Sequence, residues 1–352
     1  RVSNTLAQQA LYDSSPDAFN PFDPTVEGSN VERILVDVYR KSKTKLTTFD
    51  FKVSNNELFA LPAGPVAGLV GIEWRKEEFE DDRDPRLDGT IVFTHYTGNT
   101  FPYVSDVVNS SPTPDSKGSR DVSSMFAELQ IPLLDNLDVQ LAIRNENYSD
   151  ISDNSVTVGK VAFGYRPVES FLLRGSWSET FRAPNLVTVN EGTVARQNTR
   201  TDWACEYVDQ LTNSAYGLDC SNSTQRVAEG SDGLSPETGE GTSIGFVFEP
   251  MEGLTLTADW WTIEKNDTIG LFGEENHMIL DLLYRLQTGA GNCSMTFNPA
   301  VVRQAPDDDQ IAAFTEAGIC PAGTATRVDD LYLNLDTREL EGYDIGLYYD
   351  LD

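Results

Sequence analysis

The sequence predicts an all-β protein: an antiparallel β-barrel fragment of about nine long strands that crosses a membrane, with short turns at one end and long loops at the other. Three observations predict it. Apolar and polar residues alternate through many separate stretches, which is the period of a strand with two unlike faces. The connections alternate between tight turns and segments far above ordinary loop length. That is the outer-membrane barrel pattern, and a soluble sandwich does not normally gather its long loops so consistently at one end. Finally, no run approaches the ~20 apolar residues of a transmembrane helix. With only 39% hydrophobic residues, that excludes a helical membrane protein. Alternation alone leaves a soluble β-protein open.

The elements follow in order. Residues 1–29 are polar and turn-rich around Asp17-Ala18-Phe19-Asn20-Pro21-Phe22-Asp23-Pro24, and read as an ordered loop. Val31, Ile34, Leu35 and Val38 recur at helical spacing behind Ser29-Asn30, predicting a short helix over 30–41. Lys45 to Val53 alternates as a strand. A Pro/Gly turn at 58–66 leads to Val70, Ile72 and Trp74 on one face, with Glu73 and Arg75 on the other. Residues 77–118 read as a long charged loop. Met125, Ala127, Leu129 and Ile131 then form a strand face, followed by a turn at 133–136 and by Leu137, Val139, Leu141 and Ile143. A brief connection leads to Val161, Phe163 and Tyr165, a turn at 166–169, and a strand in which Phe171, Leu173 and Trp177 oppose Leu172, Arg174, Ser176 and Ser178. Residues 187–239 form a second long loop. Ile244, Phe246 and Phe248, a turn at 249–253, and Leu254, Leu256, Ala258 and Trp260 make a hairpin. Residues 266–327 form a third loop, with a helix expected over His277 to Leu286. The last strand carries Tyr343, Ile345, Leu347, Tyr349 and Leu351.

The formal charge is −30, from 26 Lys+Arg against 56 Asp+Glu. A surface so acidic argues against nucleic acid as a partner and suits long solvated loops. Cys205, Cys220, Cys293 and Cys320 all lie in polar loop stretches, as two local pairs with no CxxC and no nearby His. The simplest reading is two loop disulfides, Cys205–Cys220 and Cys293–Cys320, in an oxidising compartment. The competing reading is four free thiols, and three connectivities are formally open. His95 and His277 read as solvated loop residues. Asp81, Asp82, Asp84 and Asp88, and Asp307, Asp308 and Asp309, lack EF-hand spacing and read as solvated charge rather than a Ca²⁺ site. No metal, no cofactor and no catalytic arrangement is legible. Trp74, Trp177, Trp260, Trp261 and Tyr349 are candidates for interfacial aromatic girdles.

The run Ser178-Glu179-Thr180-Phe181-Arg182-Ala183-Pro184-Asn185-Leu186 resembles a signature of TonB-dependent outer-membrane receptors. Four further stretches are similar to that family. They are Leu61-Pro62-Ala63-Gly64-Pro65 leading to Gly71-Ile72-Glu73-Trp74-Arg75; Phe126 to Leu134; Leu234-Ser235-Pro236-Glu237-Thr238; and Asn334 to Tyr349 with Leu340-Glu341-Gly342-Tyr343-Asp344. The resemblance covers most of the chain and lies in the middle and later part of the family's barrel. It implies a barrel of about 22 strands, of which residues 1–352 would be a partial barrel domain with no plug domain and no terminal strand. Both chain ends read as cut.

What the resemblance implies about function is an outer-membrane receptor of a Gram-negative bacterium. It would bind a scarce nutrient, an iron-siderophore or an oligosaccharide, with its extracellular loops and import it with energy from the TonB-ExbB-ExbD system acting through the missing plug. Outer-membrane lipid and lipopolysaccharide would be its other partners. Within Phe181-Arg182-Ala183-Pro184, Pro184 cannot donate to a ladder, and the motif reads as scaffold. Arg182 is then a candidate for a salt bridge across the wall or for a ligand contact. Arg144 and Arg174 project to the mixed face. Arg196, Arg200, Trp203 and Tyr207 are the candidate substrate-binding cluster in the second long loop. Two other readings compete: a passive porin-like channel, and a secreted soluble β-protein of carbohydrate-binding or glycosidase type.

Overall fold

A computed structural model describes residues 1–15, 19–23, 29–295 and 297–350, without the side chains of 101–103. Nine strands form one sheet: β1 (Arg40–Leu61), β2 (Gly64–Arg83), β3 (Ser116–Leu134), β4 (Leu137–Tyr148), β5 (Ser155–Val168), β6 (Phe171–Arg182), β7 (Glu237–Met251), β8 (Leu254–Asn266) and β9 (Arg338–Tyr349). Each pairs antiparallel with its neighbours in chain order, with β1 and β9 at the two edges. The turns after β1, β3, β5 and β7 are two residues long, and Gly253 supplies the positive φ of 78° that closes the last. At the opposite end the connections are residues 84–115, 149–154, 183–236 and 267–337. The expected alternation of tight turns and long loops is therefore present. The strands reach further into the loops than the sequence pattern marks, because their loop ends are charged on both faces and carry no alternation to read.

Register separates the two faces. Phe49 lies opposite Trp74 and Phe51 opposite Ile72, Ile72 opposite Met125, and Val70 opposite Ala127. The same face continues through Ile143, Val161, Trp177, Ile244, Trp260 and Tyr343 to Ile345. Its side chains are open to the surroundings, Ile345 at 85% and Met125 at 67%. A contiguous apolar belt of this extent is far larger than a soluble surface carries and matches the lipid-facing band of a membrane barrel. The other face holds Glu73, Arg75, Arg144, Glu146, Arg174 and Asp259. Trp261 belongs to this second face, where its Nε1 donates to Asp344 at 3.0 Å. It cannot join Trp260 in a girdle, because neighbouring residues of a strand point to opposite sides.

Two buried cores lie in the loops, and a third, of Val122, Tyr148 and Ile151, lies where the strands meet them. One joins Ala204 and Val208 of α3 (Trp203–Leu211) to Ala313 and Phe314 of α5 (Asp308–Glu316). Another packs Met278 of α4 (Glu274–Thr288) on Val301, Ala325 and Val328. The second and third long loops share a four-stranded sheet in which Gln225–Val227 runs parallel to Arg327–Asp329. The helix expected over His277 to Leu286 is α4.

Near the N-terminus the expectations fail. Asn4–Leu11 is a helix, α1, whose Leu6 N–H donates to the Ser3 hydroxyl at 3.1 Å. The helix predicted over 30–41 is only a 3₁₀ turn, Val31–Ile34. Beyond it Leu35 bridges Val2, Val36 N donates to Arg1 O at 2.8 Å, and Arg40 enters β1. Extended pairing with a distant segment outcompetes a run rich in β-branched residues. Asp17, Ala18 and Pro24 of the predicted first loop, and Leu351 of the last strand, lie outside the described residues.

Candidate functional site

The motif Phe181-Arg182-Ala183-Pro184 forms a post where β6 leaves the sheet. Arg182 faces Glu237 across the β6–β7 ladder, and its guanidinium donates through Nε and Nη2 to the two carboxylate oxygens, at 2.6 Å each. Glu237 also accepts the Ile269 N–H at 2.6 Å, which ties the start of the third long loop to the same point. Pro184 is fully buried, and its carbonyl accepts from Arg120 at 2.7 Å. Asn185 then caps α2 (Leu186–Asn190), accepting the Thr188 N–H at 2.7 Å.

Below this post a cavity of about 420 Å³ opens on the charged face of the sheet, lined by Arg75, Glu77, Arg120, Glu146, Tyr148 and the motif itself. Arg75 pairs with Glu146 at 3.2 Å and Glu77 at 2.9 Å. Arg144 reaches Glu73 at 3.3 Å, and the Tyr148 hydroxyl donates to Glu146 at 2.6 Å. Arg174 crosses β7 to Asp259 at 2.6 Å, over Gly245, where a side chain would collide with Asp259. At the rim, Asp150 lies 3.3 Å from the buried Arg120, and burial pushes its carboxyl above the usual range.

Above the rim the second and third long loops form a cap. The structure pairs Cys205 with Cys220 and Cys293 with Cys320. Arg303 donates to Asp202 at 2.9 Å and to Asp281 at 2.8 Å, and Arg285 donates to Asp281 at 2.9 Å, with Asp202, Asp281 and Arg285 buried. Burial works to lower the Arg303 pKa, but the two carboxylates outweigh it and the group is held more basic than usual. Arg226 pairs with Asp330 at 2.9 Å. Burial opposes the Asp330 charge, yet His277, the Gly273 N–H and Arg226 together hold its carboxyl below the ordinary value. His277 is thus buried beside Phe272 and Asn298, against the expectation of a solvated loop histidine.

The four candidate substrate residues do not converge. Trp203 packs on the Met278 cluster and Tyr207 on the Phe314 cluster. Arg200 is bonded to Glu274. Arg196 alone is an exposed side chain with freedom to reach a ligand, opposite Arg226 across the ladder. Some of the acidic residues also have structural partners. Asp81 is a buried strand residue that accepts from Arg40, Ser42 and Arg83. Asp307 caps α5. Sequence reasoning missed the Asp202–Arg303–Asp281–Arg285 network and the Arg120–Asp150 contact, since their members lie far apart in the chain.

A family model described as TonB dependent receptor-like, beta-barrel matches residues 2–281. Among solved structures, the siderophore receptor PirA from Acinetobacter baumannii is similar at 17% identity and a TM-score of 0.53, over 87% of this chain and 35% of that one. The ferric enterobactin receptor PfeA from Pseudomonas aeruginosa, solved as a double mutant, is similar at 16% identity and a TM-score of 0.52, over 86% of this chain and 33% of that one. The chain therefore spans about a third of the length of these solved receptors, and the likeness at this identity is one of fold. Among curated proteins, no sequence matches.

Proposed function

The chain belongs to the TonB-dependent receptor β-barrel family, and from that premise we propose that it forms part of the wall and loop cap of an outer-membrane receptor in a Gram-negative bacterium. Residues 1–352 are read as a partial barrel domain whose edge strands β1 and β9 pair with further strands of a complete barrel. The loops capture a scarce nutrient, of siderophore or oligosaccharide type, and TonB with ExbB and ExbD supplies the energy for release through a plug. Outer-membrane lipid and lipopolysaccharide surround the apolar belt.

The observation that carries this reading is the two-faced sheet: a continuous apolar belt on one side, ion pairs on the other, and a folded cap over one end. A soluble β-protein would have to bury that belt. The charged face with its cavity of about 420 Å³ fits the lumen, and the cap fits the ligand-capturing side. Family members act as receptors and transporters, so catalysis forms no part of the reading. Capture followed by release requires a conformational change with differential affinity for the ligand.

The test is membrane fractionation of the protein that carries this chain, with heat-modifiable gel migration. It is followed by growth on single iron chelates or oligosaccharides with and without TonB. Recovery in the outer membrane, a heat-sensitive band and TonB-dependent growth are expected. A wholly aqueous protein would sink the receptor, and TonB-independent uptake would favour a passive channel.

A further inference from the structure

The two disulfides of the cap stand in different surroundings. Cys205 and Cys220 are both buried, and Cys205 lies in the first turn of α3, its N–H directed at the capping carboxylate of Asp202. The second bond is asymmetric. Cys320 is fully buried, while Cys293 is exposed. It sits in a run from Ala290 to Met295 in which every residue is exposed. That run is tied back to the end of α4, where the Gly291 N–H donates to the Thr288 carbonyl at 3.4 Å.

Both neighbours of that run are anchored without the sulfur bridge. On the Cys320 side, the Ile319 N–H donates to Phe314 at 3.1 Å, and the buried Arg285 donates to the Cys320 and Pro321 carbonyls at 3.2 Å each. Beyond Met295, the Phe297 ring lies 4.2 Å from the Arg285 guanidinium, and Asn298 donates to the His277 carbonyl at 2.8 Å. Opening the Cys293–Cys320 bond therefore frees a short surface strip and leaves the ion-paired floor of the cap in place. The buried sulfur also has somewhere to put a proton. The Gly289 carbonyl oxygen lies 3.1 Å from Cys320 Sγ, an acceptor for the S–H of a reduced Cys320.

We propose that Cys293 is a site of reversible S-thiolation, which takes a low-molecular-weight thiol of the glutathione class from the surroundings, and that Cys205–Cys220 is a structural bond. An attacking thiolate must approach one sulfur in line with the other and on its far side. With Cys320 inside and Cys293 outside, that line leads out to solvent beyond Cys293 only. The thiolate sulfur forms a bond to Cys293 Sγ, the Cys293–Cys320 bond breaks, and its electron pair leaves with Cys320. The Arg285 guanidinium, held at the Cys320 carbonyl, favours that negative charge while it lasts. Burial then favours the neutral thiol, so Cys320 takes a proton from water and donates it to the Gly289 carbonyl. The reverse step needs only Cys320 again: as a thiolate it attacks Cys293 Sγ and expels the small thiol. No net oxidant enters this cycle, because one disulfide is exchanged for another. The loosening stays local, as a sub-global opening confined to a poorly packed surface segment.

The experiment uses the folded, full-length protein that carries this chain, with no substitution. It is incubated with reduced glutathione, quenched in acid, alkylated and mapped by mass spectrometry over time. A glutathione adduct on Cys293 with a free thiol at Cys320 is expected, at least about tenfold ahead of any thiol at Cys205 or Cys220. Removing the glutathione should close Cys293–Cys320 again and release the adduct. Hydrogen exchange of the adduct should quicken over 290–295 and stay unchanged in α3, α4 and α5. An adduct on Cys320, reaction of both disulfides at similar rates, or loosening throughout the cap overturns the proposal. The readout does not depend on which nutrient the loops capture or on TonB, so failure here and failure of the receptor reading are separate results.

Discussion

Glu237 is 7% exposed while the Arg182 side chain is 71% exposed, so the two ends of one ion pair stand in different surroundings. Losing Arg182 removes a largely solvated partner, an interaction worth about 0–1 kcal/mol. Losing the Glu237 carboxylate also strands the Ile269 N–H, which costs about 1–3 kcal/mol more. Glu237→Ala is therefore expected to destabilise the folded protein clearly more than Arg182→Ala in denaturant titrations. Equal effects would mean that the motif's value lies in its arginine, and a ligand role for Arg182 would gain ground. Glycine placement follows the same residue-scale logic. At Gly71, Gly175 and Gly342 the space that a side chain would take is filled by Phe126, Phe163 and Trp261 from the neighbouring strand. These aromatic rings cover bare backbone and help to fix register.

At the scale of elements, the cap holds two of the packed cores, and its two loops are interlocked. A parallel ladder, two apolar clusters and the Arg303 ion pairs all join the second loop to the third. Each disulfide, by contrast, closes within one loop, over 15 and 27 residues. Closing a loop of that size contributes about 3 kcal/mol by restricting the unfolded chain. Replacing Cys205 and Cys220 by Ser should therefore lower hydrogen-exchange protection across α3 and across α5, its packing partner in the other loop. The strands β1–β9 should keep theirs, since their ladders do not pass through the cap. Loss of protection confined to 203–220 would show that the two loops do not fold as one unit.

For the whole molecule, acid should separate the loops from the wall. Asp106 is fully buried. Burial raises its pKa, but Thr5, Ser3 and Arg86 outweigh this and hold the carboxyl below its usual value. Asp330 in the cap is lowered in the same direction. A carboxyl whose folded pKa is depressed adds stability that is fully present above its ordinary value of ~4 and is lost as pH falls through the folded value. Proteolysis of residues 84–115 and of the cap should thus stay slow from neutral pH to ~4 and rise below it, with the heat-modifiable barrel band persisting. Loosening that already begins near neutral pH would sink this assignment to buried carboxylates.

The nine strands, their order, the tight turns and the two faces were legible in the chain, because a strand half in lipid and half on an ion-paired wall must alternate with period two. The motif at 178–186 was legible as a signature. α4 was visible from its apolar run, and both cysteine pairs from their spacing. Tertiary structure alone decided the rest. Helix 30–41 gave way to pairing with the N-terminus, and Trp261 fell on the polar side by a single step of parity. His277 was drawn into a core by contacts from residues 298 and 330. Trp203 and Tyr207, read as a ligand cluster, are packing residues because the third loop lies on them. Local pattern reports the environment that a strand meets along its own length. Which loop covers which depends on partners scores of residues away, and only register and packing bring those together.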